Sequence, residues 1–70
     1  MIERAVARTI EREPQLLRAS AAHVPKAWGA LAAAGVVTFK EREGRPPTED
    51  ERRAIWAGLW RAVEVVSRAG

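Results

Sequence analysis

The chain predicts an all-α fold of three short helices followed by one long C-terminal helix, and three observations carry that reading. Ile2, Ala5, Val6, Thr9 and Ile10 recur at i, i+3, i+4, i+7 and i+8, the spacing of a helix with one apolar face. Prolines 14 and 25 and Gly35 separate the later apolar runs, where helices begin or end. Thr48 stands before a 21-residue amphipathic run with Glu51 three residues on, which is a capping box.

The first helix should end near Glu13, because the pyrrolidine ring of Pro14 removes a backbone donor and disfavours helical geometry in the residue before it. Pro14 is equally suited to the first turn of a second helix, where its missing N–H has no intrahelical role. That helix takes in Leu16, Leu17, Ala19, Ser20, Ala21 and Ala22 and closes at His23 and Val24. Pro25 then opens a third helix, PKAWGALAAAG, with Gly35 as its C-terminal cap. Val36 to Phe39 are β-branched or aromatic, so residues 36–39 read as a short extended segment. The alternative is a single helical turn capped by Thr38 and Glu41 and ending at Gly44. Residues 40–47, dense in charge and closed by Pro46 and Pro47, read as a polar connector within one domain spanning 1–70.

The last helix spans Glu49 to Ala69. Glu49 and Asp50 complement the positive end of its dipole, and Glu49 with Arg53, Arg61 with Glu64, and Glu64 with Arg68 stand at ion-pair spacing. On a helical wheel its apolar residues cover an arc of about 240°, where a surface helix needs little more than about 100°. The excess predicts contact on two sides, so Ile55, Trp56, Leu59, Trp60, Val63 and Val66 are expected to form an intermolecular interface. Tryptophan is common at interface hot spots and equally useful in a small core. Trp28, set among alanines, is assigned to the core.

Length and composition point the same way. Seventy residues make a small domain that buries a limited share of its surface and usually needs a staple or a partner. With no cysteine and one histidine, disulfides are excluded and a metal is nearly so, and no cofactor is expected. The expected partner is therefore a second copy, as a homodimer, or a larger protein in which this chain is a small structural subunit. The longest uncharged run, Ala27 to Phe39, has thirteen residues, too few to span a membrane. Glu3 and Arg4 interrupt any secretory signal, which places the expected location in the cytoplasm. Ten arginines against two lysines, with fourteen alanines, suggest a bacterial source of high GC content or a thermophile.

Nucleic acid is the alternative partner. The net charge of +3 permits an anionic ligand without demanding one. The stretch LLRASAAHVPKAWGALAAAGVV resembles the outline of a helix-turn-helix, with the residues beyond Val37 in the place of a wing, as in winged-helix regulators. In that resemblance Lys26 would suit a phosphate, and a nucleic-acid binder would need Arg18, Lys26, Lys40, Arg42 and Arg45 to converge on one side. Gly29 departs from the branched apolar residue expected there, and Pro46 and Pro47 cannot donate to a returning wing strand. Catalysis is not expected: Ser20 and His23 lack an orienting acid, Asp50 belongs to a helix start, and no glycine-rich phosphate loop is present.

Overall fold

The computed structural model describes residues 2–69, which form four α-helices: α1 (Ile2–Arg12), α2 (Pro14–Ala21), α3 (Ala27–Glu43) and α4 (Glu49–Ala69). The fold is all-α. The first break falls where Pro14 puts it. Pro14 sits in the first turn of α2, and the N–H of Glu13 still reaches the carbonyl of Thr9, so the chain turns from α1 into α2 within two residues.

The α2–α3 joint is a Schellman turn. The N–H of Val24 bonds the carbonyl of Ala19 and that of His23 bonds Ser20, with His23 left-handed at φ 61° in the position glycine normally fills. Lys26, the N-cap residue of α3, is left-handed as well at φ 70°. Regular helix accordingly begins at Ala27 and not at Pro25.

The largest departure from the sequence reading is in α3, which runs unbroken through Gly35 and through residues 36–39. The expected extended segment is helical. Tertiary packing overrides the β-branched propensity of Val36, Val37 and Thr38. The buried Thr38 hydroxyl donates to the carbonyl of Ala34 at 2.8 Å, the back-bond that a helix offers it, so no capping box forms with Glu41. Gly35 is not a cap but a notch. A Cβ built on it would lie 2.8 Å from Cγ2 of Ile55 and 2.9 Å from Cδ1 of Leu59. The cap is Gly44, at φ 73°, whose N–H bonds the carbonyl of Lys40. Lys40 to Glu43 are the last turn of α3, and the connector shrinks to 44–48. The N-terminal half thus has two short helices and one of 17 residues.

The capping box of α4 is present. The backbone N–H of Glu51 donates to Thr48 Oγ1 at 3.2 Å, and the N–H of Thr48 donates to Glu51 Oε1 at 2.8 Å. Arg45 clamps the same carboxylate with two further bonds, of 2.8 and 2.9 Å, and its guanidinium lies over the Phe39 ring. Of the three ion pairs expected on α4, Glu49 with Arg53 closes at 2.6 Å.

All four helices contribute to one core. Ala5 comes from α1, Leu17 from α2, Leu31 and Phe39 from α3, and Ile55, Leu59 and Val63 from α4. α3 and α4 are antiparallel: Trp28 stacks edge-on against Trp60 with centroids 5.2 Å apart, and the indole N–H of Trp56 donates to the carbonyl of Ala32 at 3.2 Å. Only small residues, Ala5 and Thr9, lie at the buried centre of α1, and the Thr9 hydroxyl is satisfied by the Ala5 carbonyl at 2.7 Å. Arg12 pairs with Glu41 at the end of α3, while Val6 faces Gly58 midway along α4, so α1 runs antiparallel to α4.

Candidate docking groove

Because the centre of α1 is small, its larger side chains straddle the contact with α4. Ile2, Val6 and Ile10 are half-buried and follow one another at i, i+4 and i+8, forming a wall along α1. Beside that wall the exposed flank of α4 is a floor of small residues, Ala54, Ala57 and Gly58. Gly58 lets the two helices approach, since a Cβ there would lie 2.9 Å from Cγ2 of Val6. The result is a cleft of about 640 Å³ along α1 and α4, with Glu3 and Arg61 among its lining residues. Its lining is mainly apolar, shaped as a trough between two helices, and suits the apolar face of a third helix better than a small polar ligand.

The expected interface residues divide. Ile55, Leu59 and Val63 are 0, 0 and 3% exposed and pack inside the chain's own core, so an intermolecular role for these three is corrected. The wide apolar arc is real, but the other helices of the chain cover its centre. Trp56 and Val66 are half-buried against the same core, and Arg52 stacks over the Trp56 ring. Trp60 is 47% exposed and shares its edge with Trp28. The groove lies at the far edge of the arc, with Ala54 at that edge and Ala57 beyond it.

The five cations proposed for nucleic acid stand in two groups. Arg18 on α2 and Lys26 at the head of α3 are at one end, with Lys40 and Arg42 at the tail of α3. The step of 14 positions from Lys26 to Lys40 amounts to about 21 Å of helical rise. Arg45 is engaged by Glu51. That clamp holds the Glu51 carboxyl far below its ordinary value of 4.5, at about 2, with the backbone hydrogen bond from Thr48 adding to the effect, and it raises the Arg45 guanidinium above its ordinary value.

His23 and Ser20 do not meet as a catalytic pair. His23 is exposed at the turn, and Ser20 Oγ is buried with no hydrogen-bond partner. Among the described residues no group of three or more His, Cys, Asp or Glu side chains could hold a metal, and no helix is long and apolar enough to cross a membrane.

Sequence reasoning named neither Val6 nor Gly58 as site residues. The available signal was Gly58 itself, a glycine inside a long capped helix, which costs helix stability unless a neighbour needs the space. No protein-family model matches the chain, and no curated protein or solved structure matches it either.

Proposed function

We propose that this protein is a small, non-enzymatic protein–protein interaction module that binds through the groove between α1 and α4. The single observation behind this reading is that the core covers only part of the apolar arc of α4 and leaves its far edge open beside the Ile2, Val6 and Ile10 wall. The large exposed hydrophobics Val24, Val37, Trp60 and Val65 lie outside the groove, so the reading rests on the trough's shape and on the partly buried apolar residues that line it. A setting in the bacterial cytoplasm, expected from the sequence, belongs to the same reading. So does a role as a small subunit of a larger assembly, which would use the same groove.

DNA binding ranks second. The α2–turn–α3 connection with exposed Arg18 and Lys26 favours it, whereas the separation of the cations into two groups weakens it, because phosphate contacts act together along a continuous positive surface.

The test is a photo-crosslinking amino acid placed at Ala57 in the groove or at Ala33 on the outer face of α3, both exposed positions. A discrete protein adduct from position 57, abolished by Ala54→Glu and not seen from position 33, is expected. No adduct from position 57, or the same adduct from both positions, overturns the reading.

A further inference from the structure

We propose that the hollow between the end of α2 and the C-terminal half of α4 binds a small zwitterion, an α-amino acid with an apolar side chain. This site shares no lining residue with the groove between α1 and α4 and does not depend on it. Trp60, Glu64 and Arg68 follow one another at i, i+4 and i+8 along α4, and His23, from the turn that ends α2, lines the hollow with them. Its volume of about 170 Å³ gives room for about six water molecules at liquid density. That is below the roughly 300 to 1,000 Å³ of sites for drug-sized molecules, so the occupant is a compact one.

Three features of this hollow serve no purpose in the fold. The first is charge. Glu64 stands four residues before Arg68, the favoured order for a helical ion pair, yet among the described residues neither group closes one, whereas Glu49 and Arg53 do so at the same spacing in the same helix at 2.6 Å. An ammonium group beside Glu64 and a carboxylate beside Arg68 give each charge a partner. A zwitterion satisfies both, whereas a simple cation meets Arg68 and a simple anion meets Glu64. The second feature is Trp60. It is 47% exposed while it lines the hollow, and its edge-on contact with Trp28 holds the ring in place. A rigid, half-exposed indole beside a carboxylate offers apolar surface to a side chain and draws an ammonium group to its face. The third feature is His23, left-handed at φ 61° where glycine would cost less, with its exposed imidazole at the same hollow. Strain of this kind gathers at functional sites, and an imidazole N–H adds a donor for the ligand's carboxylate.

Proton–nitrogen NMR of the full chain, titrated with L-valine and L-leucine up to about 20 mM, tests this. The Trp60 indole N–H and the Glu64 amide should shift and saturate with a midpoint between about 0.1 and 10 mM, while the Trp56 indole N–H, bonded to Ala32 in the α3–α4 contact, stays in place. Isobutylamine, which is valine without its carboxylate, and isovalerate, which is valine without its ammonium group, should each bind at least about ten-fold more weakly. Glu64→Gln and Arg68→Gln should raise the midpoint for the amino acid by a similar factor and leave the circular-dichroism melt unchanged. His23→Gly should weaken binding several-fold although the chain melts no lower, which separates a ligand role from a folding role. No saturable shift with either amino acid, a response matched by isobutylamine or isovalerate, or a midpoint unmoved in any one of the three variants overturns the inference.

Discussion

Gly35 of α3 and Ile55 of α4 approach so closely that a methyl group on Gly35 would sit 2.8 Å from the Cγ2 of Ile55. Glycine in the middle of a helix ordinarily weakens it. Here it sets the distance between the two longest helices and allows Ile55 and Leu59 to be fully buried.

Gly35→Ala and Gly29→Ala therefore have opposite signs. At Gly35 the new methyl meets Ile55 and Leu59, and overpacking costs about 1 to 3 kcal/mol, more than the helix propensity of alanine returns. Gly29 is exposed in the same helix with nothing within 4 Å of a built Cβ, so Gly29→Ala should stabilise by up to about 1 kcal/mol. Urea denaturation of both variants checks the pair, and a stabilised Gly35→Ala would show that the helices can separate without loss.

The start of α4 rests on Thr48. Its hydroxyl accepts from the N–H of Glu51, and Thr48→Ala should cost about 0.5 to 2 kcal/mol in chemical denaturation. An unchanged midpoint would mean that Arg45 and Glu51 hold the helix start without the hydroxyl.

Glu51 makes stability depend on acid. Its carboxyl titrates at about 2 in the fold against an ordinary 4.5, chiefly because Arg45 donates to it. A depressed carboxylate contributes stability that is fully present above 4.5 and is lost as pH falls from 4.5 toward 2. Glu51→Gln should remove that part of the acid slope while leaving the rest. Thermal melts of parent and variant from neutral pH down to that range would reveal it, and parallel curves would rule the clamp out as a source of acid sensitivity.

His23 occupies a left-handed position at φ 61°, which costs a residue with a Cβ about 1 to 2 kcal/mol. His23→Gly relieves that cost against about 0.5 to 1 kcal/mol of added chain entropy, so a net gain of up to about 1 kcal/mol is expected. Its side chain is exposed, so little packing is sacrificed. A lower melting temperature in His23→Gly would point to an unrecognised role for the imidazole.

The nucleic-acid alternative has its own test. Lys26→Glu with Arg42→Glu alters one cation at each end of α3, and both are exposed. Self-association and melting temperature should barely change, and the parent should show no sequence-specific DNA complex near physiological salt in a titration by fluorescence anisotropy. A specific complex abolished by the double substitution would place the helix-turn-helix reading first.

The features legible in the sequence were local ones. The turn at Pro14, the span of α4 from Glu49 to Ala69 and the Thr48–Glu51 box rest on interactions within a few residues of each other, which one chain segment specifies alone. The remaining features depend on contacts between helices. Gly35 reads locally as a helix end, yet it is a notch because Ile55 and Leu59, twenty and more residues later, need the space. Val36, Val37 and Thr38 prefer extended backbone in isolation and are helical because Phe39 and Thr38 are buried among the other helices. The wheel of α4 likewise showed one wide apolar arc without saying which part of it faces inward. That choice was made by α1, whose buried centre of Ala5 and Thr9 draws it close to α4 and leaves Ile2, Val6 and Ile10 to frame the groove. Local propensities amount to a fraction of a kcal/mol per residue, and the burial of a large side chain to several times that, so where the two disagree the long-range contact prevails.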